Sequence, residues 1–364
     1  MTQYKVLVVD DSAVYRYYLK TLLNKMRDIE VIGEACDGAE AIEMIAKKKP
    51  NLVTMDVEMP VINGLQCLRH VHKRWPKIQV LMVSAYTEDG ARVTLQCLAS
   101  GAIDFIAKPP HRNADACMAY LREQLMQKVK ILRSSNEPRK KEVKKPKLTK
   151  QTTPLPKKEG IQVVPEGEEK GPLAVIGIGI STGGPEALRK VIPHLPAAFP
   201  IPILIVQHMP VMFTSVLAKS LNEQSKLTVR EASDGEFLRT GHVYIAPGEK
   251  QMRVDINEHK QSFISLTDDP PENHCRPAAD YLFRSLAKIY KANTMALVMT
   301  GMGRDGTVGA QLIHRRGGVV SVQSRETSTV YGMPGEVIKA GVHDHVVHLE
   351  DIAEHLVQMV TRRS

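Results

Sequence analysis

Short apolar runs alternate with amphipathic stretches through the first 130 residues of this 364-residue chain. The runs have the length of buried strands, and the stretches between them have the spacing of helices. We predict strands at residues 5–9, 30–35, 52–55, 79–83 and 103–107, and helices at 13–26, 38–48 and 114–131. Because apolar strands alternate with helices, this half of the chain is predicted to be α/β, a doubly wound parallel sheet with helices on both faces.

A similar pattern begins again after residue 172. We predict strands at residues 174–180, 203–206 and 295–299, with helices at 186–191 and 277–290. In the last helix, Leu282, Phe283 and Leu286 share the face that should meet the core. This half is therefore predicted to be a second α/β domain with a mainly parallel sheet.

The two halves are separated by a segment of different composition. Residues 133–158 contain ten Lys and Arg, only two acidic residues and four prolines, and so carry eight of the nine net positive charges of the chain. Such a composition cannot bury a core and predicts a flexible linker. We expect domains at 1–132 and 172–364 with the linker at 133–171. The linker is more typical of a solvated spacer, and an electrostatic contact site is the alternative.

Composition also excludes several classes of protein. The apolar run at residues 173–180 is far shorter than the roughly 18–20 residues of a membrane helix, so we do not expect this chain to be an integral membrane protein. We also expect no signal peptide at the N-terminus. The five cysteines are scattered and form no C-x-x-C pair, which argues against a disulfide framework or a zinc site and favours the cytoplasm.

Polar side chains follow the predicted strands of the first domain. Asp10, Asp11, Asp56, Ser84 and Lys108 each come at a strand end, where ligands bind in open parallel sheets. Converging carboxylates need a counter-charge, and a hard cation such as Mg²⁺ supplies it. A carboxylate beside Mg²⁺ and a lysine can also attack a phosphoryl group.

The first domain resembles the flavodoxin-like receiver domain of bacterial response regulators. The motifs that carry the resemblance are Val8-Val9-Asp10-Asp11-Ser12, Asp56-Val57-Glu58-Met59-Pro60, Val83-Ser84-Ala85 and Ala107-Lys108-Pro109. The resemblance implies that Asp56 accepts phosphate from a histidine kinase and that Asp10 and Asp11 join it in holding Mg²⁺.

Three further receiver residues take roles from the same resemblance. It implies that Lys108 pairs with the phosphate, that Ser84 is the switch hydroxyl and that Phe105 is the switch aromatic residue. Ser84 stands where Thr is commoner in the family. A receiver domain does not define an output, so the second domain must supply the function.

A glycine-rich turn follows the first strand of the second domain and places Ser181 at a strand end. Gly177, Gly179 and Gly183 nearly match a dinucleotide-binding G-x-G-x-x-G, with one residue too many. The next strand ends in Gln207-His208 and lacks the acidic residue that such a fold requires. Nucleotide binding therefore stays a weak alternative.

A nucleophilic serine is the other interpretation of this turn. His208 follows the next strand, and Asp305 follows the strand at residues 295–299. Serine, histidine and aspartate at three strand ends can form a catalytic triad whatever their order in the chain. From the spacing alone, core and capping roles for these residues remain an open alternative.

The second domain resembles the chemotaxis protein-glutamate methylesterases, the CheB family. The motifs are Ile178-Gly179-Ile180-Ser181-Thr182-Gly183-Gly184-Pro185, Val206-Gln207-His208-Met209-Pro210, Thr300-Gly301-Met302-Gly303-Arg304-Asp305-Gly306 and Val330-Tyr331-Gly332-Met333-Pro334. The resemblance implies that Ser181 attacks a glutamyl methyl ester, that His208 is the base and that Asp305 orients it. Met302 N–H would donate to the oxyanion, with Thr182 beside the nucleophile. Ester hydrolysis would need no cofactor.

The same resemblance defines the expected partners. It implies methyl-accepting chemotaxis receptors as substrates, deamidation of receptor glutamines as a side activity, a chemotaxis histidine kinase as phosphodonor, and a monomer that acts at receptor arrays. We expect the receiver to cover the Ser181 cleft until Asp56 is phosphorylated. A DNA-binding response regulator is the main rival suggested by the charge, but the second half offers no helix-turn-helix, and we expect no nucleic-acid partner.

Overall fold

The computed structural model describes residues 3–109, 113–136 and 171–363. The predicted linker at 133–171 lies almost entirely outside the described residues. Two α/β units stand on either side of it.

The first unit is a five-stranded sheet in the order β2-β1-β3-β4-β5, in which every neighbouring pair is parallel. Its elements are β1 Tyr4–Val9, α1 Ala13–Asn24, β2 Ile29–Ala35, α2 Gly38–Lys48, β3 Leu52–Asp56, α3 Gly64–Arg74, β4 Gln79–Ser84, α4 Glu88–Ala99, β5 Asp104–Ala107 and α5 Ala114–Asn136. The doubly wound parallel sheet is confirmed.

The helices of this unit differ from the prediction in two respects. Two of them, α3 and α4, were not predicted, although Asn63 forms a capping box at the start of α3 and Thr87 caps α4. The last helix, α5, continues four residues past the predicted boundary at 132. There Arg133 Nη2 lies 3.1 Å from Asp28 Oδ2 and ties the last turn of α5 to the loop before β2.

The second unit is a seven-stranded sheet in the order β14-β13-β12-β6-β7-β9-β8, and every pair in it is parallel. The strands are β6 Val175–Ile180, β7 Ile203–Gln207, β8 Thr228–Glu231, β9 His242–Ile245, β12 Thr294–Val298, β13 Val319–Gln323 and β14 His345–Val347, with an antiparallel hairpin of β10 Gln251–Ile256 and β11 Ser262–Thr267. The helices are α6 Gly184–Val191, α7 Val211–Gln224, α8 Ala279–Ile289, α9 Thr307–Arg315, α10 Met333–Lys339 and α11 Ile352–Arg362, with 3₁₀ turns at Ile192–His194, Lys291–Asn293 and Leu349–Asp351.

The strand order places a switch point at β6. The chain leaves β6 on one side to form β7, and it returns on the other side to form β12. In open parallel sheets, ligands bind at such a point, beyond the carboxyl ends of the strands. The turns after β6, β7 and β12 therefore converge on one site.

Two glycines of the Gly-rich run make room for a helix. A Cβ at Gly177 would lie 2.7 Å from Leu286 Cδ1, and one at Gly179 would lie 2.7 Å from Ala279 Cβ. Both contacts are with α8, whose Leu286 and Phe283 are fully buried. The glycines therefore serve the close packing of α8 on β6, which accounts for the pattern that resembled a nucleotide-binding motif.

The two units pack against each other. Helix α4 of the first unit contacts α6 and α7 of the second. Phe105 of β5 stacks on Phe213 of α7, with ring centroids 4.3 Å apart. At the rim of the interface, Lys219 Nζ lies 2.8 Å from Glu88 Oε1. Among the residues that the structure describes, no helix is both long and apolar enough to cross a bilayer.

Candidate functional site

The strand ends of the first unit bring four of the predicted charged residues together. Asp10, Asp11 and Asp56 each offer a carboxylate oxygen, and these oxygens lie within 4.8 Å of one another. Lys108 Nζ lies 2.7 Å from Asp56 Oδ2 and 2.9 Å from Asp10 Oδ2. A single lysine thus pairs with two of the three acidic side chains.

The electrostatics of this cluster fit a divalent cation. Burial and the neighbouring Asp10 carboxylate raise the pKa of Asp56 to about 6, although Lys108 acts in the opposite direction. Burial and a neighbouring like charge both disfavour the ionised carboxylate, and a nearby cation would favour it. Three clustered carboxylates are the hard oxygen ligands that Mg²⁺ prefers, so Asp10, Asp11 and Asp56 fit the predicted ion.

The two predicted switch residues have different surroundings. Ser84 Oγ is buried at the end of β4 and lies 3.2 Å from Gly90 O at the start of α4. Phe105 stacks on Phe213 of the second unit. Ser84 therefore contacts the first turn of α4, and Phe105 lies in the interface between the units.

In the second unit, the predicted nucleophile, base and acid meet at the switch point. Ser181 follows β6, and its N–H donates to Thr300 O at 2.9 Å. His208 follows β7, and its N–H donates to Ile180 O at 3.3 Å. The imidazole of His208 reaches the carboxylate of Asp305, with Nε2 and Oδ2 2.8 Å apart.

The Asp305 carboxylate is held by several donors besides the imidazole. Oδ2 accepts the Ala279 N–H at 2.6 Å, while Oδ1 accepts the Asp280 N–H at 3.0 Å and Asn273 Nδ2 at 3.1 Å. Burial opposes the charged form, but the bonds from His208 and from these N–H groups outweigh it and hold the pKa of Asp305 below its usual value. The carboxylate is therefore ionised and fixed in direction.

The His208 ring has different neighbours at its two nitrogens. Nε2 faces Asp305, and Nδ1 lies 3.6 Å from Cys275 Sγ. Burial disfavours the charged ring, but Cys275 and the bond to Asp305 outweigh it and raise the pKa of His208. Within the described part of the chain, no hydrogen bond joins Ser181 Oγ to this ring.

A backbone donor also lies near Ser181. Gly301 packs so closely that a Cβ on it would lie 2.8 Å from Ser181 Cβ. The next residue is Met302, whose N–H donates to no other residue that the structure describes. A free N–H beside the serine is what an oxyanion would require.

Thr182, the residue after Ser181, is bound to the other unit. Its Oγ1 donates to Asp104 Oδ2 at 2.7 Å, and the same carboxylate lies 2.6 Å from Lys128 Nζ. Asp104 begins β5, directly before Phe105. The first unit therefore contacts the residue next to Ser181 itself.

Several residues of this site carry no signal in the sequence. Asn273 and Cys275 come from the segment that leads into α8, Asp280 comes from the first turn of α8, and Asp104 comes from the other unit. The motif Asn273-His274-Cys275-Arg276-Pro277 carries no helical or strand periodicity that would assign it to the site. It reaches His208 only because α8 packs across β6.

The C-terminal histidines do not assemble a metal site. The His345 ring lies edge-on to the His355 ring at 5.0 Å, and His348 Nδ1 lies 2.7 Å from Ser324 Oγ. Among the described residues, the only cluster of potential metal ligands is the aspartate group of the first unit. The contacts of His345, His348 and His355 indicate packing and hydrogen-bonding roles.

Known proteins resemble both units. Residues 176–356 match the family model described as CheB methylesterase, and residues 6–116 match the response regulator receiver domain. The chain is 41% identical over 368 residues to a protein-glutamate methylesterase/protein-glutamine glutaminase of Desulfotalea psychrophila, with 99% of each chain covered. It is 41% identical over 356 residues to the protein of the same name from Thermotoga maritima, with 98% of each covered.

A solved structure is similar to the second unit. The crystal structure of the Thermotoga maritima CheB methylesterase catalytic domain is 44% identical, with a TM-score of 0.51. The match covers 52% of this chain and 99% of that one. Full-length relatives therefore share both units, and the solved domain shares the fold of the second.

Proposed function

The chain belongs to the family of protein-glutamate methylesterases/protein-glutamine glutaminases with a receiver domain, and from this we propose that Ser181, His208 and Asp305 are its catalytic triad. The observation that carries the proposal is the 2.8 Å bond from His208 to Asp305 at the strand ends that flank Ser181. A buried, multiply bonded carboxylate behind an imidazole is the arrangement that activates a serine.

The reaction proceeds through an acyl-enzyme. Ser181 Oγ attacks the γ-carbonyl carbon of a glutamyl methyl ester while His208 Nδ1 takes the serine proton, because Nε2 is already bonded to Asp305. The oxyanion receives the Met302 N–H. His208 then protonates the departing methoxide to give methanol, and water hydrolyses the ester on Ser181 to leave glutamate.

Deamidation follows the same steps on a different substrate. When the γ-carbonyl belongs to a glutamine, His208 protonates the departing amine, and ammonia leaves in place of methanol. The acyl-enzyme on Ser181 is identical in both reactions, so a single triad accounts for both activities in the name of the relatives.

The receiver domain makes the enzyme dependent on a phosphodonor. A carboxylate oxygen of Asp56 would attack the phosphorus of a phosphohistidine as its P–N bond breaks and the donor imidazole leaves, with Lys108 positioned to pair with the phosphate. A bound Mg²⁺ held by Asp10, Asp11 and Asp56 would neutralise charge on the transferring oxygens. A chemotaxis histidine kinase is the proposed donor, and methylated chemoreceptors are the proposed substrates.

The interface between the units supplies a means of control. The Asp104 carboxylate accepts a hydrogen bond from Thr182, the residue after Ser181, and Phe105 stacks on Phe213 of α7. Phosphorylation draws Ser84 toward Asp56, and this movement loosens α4 and β5 from the second unit. The nucleophile then becomes accessible to a receptor helix.

Methanol release from membranes that carry methylated chemoreceptors tests the proposed function. The wild-type protein with acetyl phosphate and Mg²⁺ should release methanol, and Ser181→Ala should lose about 10⁴-fold or more of that rate. Ser215→Ala is a matched control, since Ser215 lies on α7 and bonds only to Met212 O among the described residues. Undiminished release by Ser181→Ala would exclude this serine as the nucleophile.

A further inference from the structure

Cys275 lies on a well-supported loop beside the proposed base. Its N–H donates to Glu272 O at 2.8 Å, and its carbonyl accepts the Glu272 N–H at 3.0 Å. Gln251 Nε2 adds a bond to the same carbonyl at 3.4 Å. These bonds fix the position from which Sγ reaches His208 Nδ1 at 3.6 Å.

Both nitrogens of His208 therefore have a partner before any substrate binds. Nε2 is occupied by Asp305, so Nδ1 is the nitrogen left to receive the proton of Ser181. That nitrogen faces a thiol instead of the serine hydroxyl. A thiol is a weak donor and acceptor, and it can therefore be displaced from the ring.

We infer that Cys275 is a positioning residue that holds the Nδ1 edge of His208 in the resting enzyme and competes with Ser181 for it. The inference deepens the proposed function and rests on it, because it concerns the base of the same triad. Cys275 acts through His208 and takes no part in bond formation with the substrate. The ring must leave the thiol before it can deprotonate Ser181.

The thiol also affects the charge of the ring. The ionisable groups that face His208 are Asp305, from the turn before α9, and Cys275, with Asp280 of α8 next to Asp305. Both direct neighbours favour the imidazolium, which cannot accept a proton. Removing the thiol should leave Asp305 in place and make the neutral ring available at lower pH.

The pH dependence of methanol release by the full-length protein tests this role. With Cys275→Ala, the acidic limb of the kcat/KM profile should move to lower pH by about one unit, because the imidazolium loses a neighbour that favours it. On the acidic limb, the rate at a fixed pH should then rise about tenfold. Cys36→Ser is the control, because Cys36 is exposed on the receiver.

Three results would overturn the inference. They are coincident profiles for wild type and Cys275→Ala, a shift of the Cys275→Ala profile toward higher pH, and a loss of activity at every pH in folded Cys275→Ala. Loss of activity in Ser181→Ala with an unshifted Cys275→Ala profile would support the triad and reject only the role of the thiol.

Alkylation of the thiol gives a second measurement. Its effect on methanol release would be absent if Cys275 had only a structural role. In a Cys36→Ser background, N-ethylmaleimide should add to the partly exposed Cys275 and stop methanol release, because the adduct occupies the Nδ1 edge of His208. Cys36→Ser/Cys275→Ser should keep its activity under the same treatment. Full activity of the first protein with Cys275 labelled, as shown by peptide mass spectrometry, would contradict the inference.

Discussion

Phe105→Ala should weaken the hold of the receiver on the catalytic unit. Phe105 is only 6% exposed, and its ring stacks on Phe213 at 4.3 Å with an interplanar angle of 24°. The side chain stands at the interface, so its loss acts on the docked state more than on either separate unit. The expected result is a higher rate of methanol release without phosphorylation.

The magnitude follows from the contact. An aromatic pair contributes about 0.5–1.5 kcal/mol beyond its buried area, and the apolar area that Phe105 covers in the interface adds about 1 kcal/mol. A loss of about 2 kcal/mol in docking free energy raises the ratio of undocked to docked enzyme roughly 30-fold. The rate at full phosphorylation should stay unchanged, so stimulation by a phosphodonor should shrink by a similar factor.

Methanol release with and without acetyl phosphate measures both rates. Tyr17→Ala is the matched control, because Tyr17 is an aromatic residue of the receiver on α1 that is 64% exposed. A basal rate for Phe105→Ala equal to that of wild type would refute control through this contact. Undiminished stimulation of the variant by acetyl phosphate would refute it as well.

Four further changes test other parts of the account. Asp305→Asn should reduce kcat for methanol release about 10⁴-fold, as the same change does in a serine protease, because the imidazole loses its charged partner; a minor loss would reject its role. Asp56→Asn should abolish the Mg²⁺-dependent mass gain of the protein with acetyl phosphate, and a retained gain would identify another acceptor. Burial, His345 and Arg362 lower the pKa of His355 to about 4, so the folded state should lose stability as pH falls from about 6.5 toward 4. In thermal unfolding, His355→Gln should weaken this dependence of stability on pH. An unchanged dependence in the variant would contradict the lowered pKa. Gly179→Val should cost about 1–3 kcal/mol in urea unfolding, because α8 leaves no room for a side chain, and a neutral effect would contradict the close packing.

The sequence predicts the sheet better than the helices around it. Central strands such as β1 and β6 are buried on both faces and form continuous apolar runs, which are visible without any partner. By contrast, α3 is predominantly polar and is defined by its cap at Asn63 and by one buried face. Whether this segment forms a helix depends on how it packs against the rest of the domain. The hydrophobic periodicity of so short a segment does not show that packing.

The candidate site divides in the same way. Ser181, His208 and Asp305 each follow an apolar strand, and parallel strands end at a common edge, so their proximity could be inferred. Cys275 and Asp104 follow no such rule. Cys275 lies on an irregular loop, and Asp104 comes from another domain across a linker, so both contacts arise from packing between elements distant in the chain.

The most direct test of the central claim uses a protein whose receiver no longer restrains the site. In the Phe105→Ala background, Ser181→Ala is compared with the parent for methanol release from methylated receptor membranes. The account predicts a raised rate in the parent and a loss of about 10⁴-fold or more in the double variant. Equal rates in the two proteins would contradict Ser181 as the nucleophile that the receiver controls.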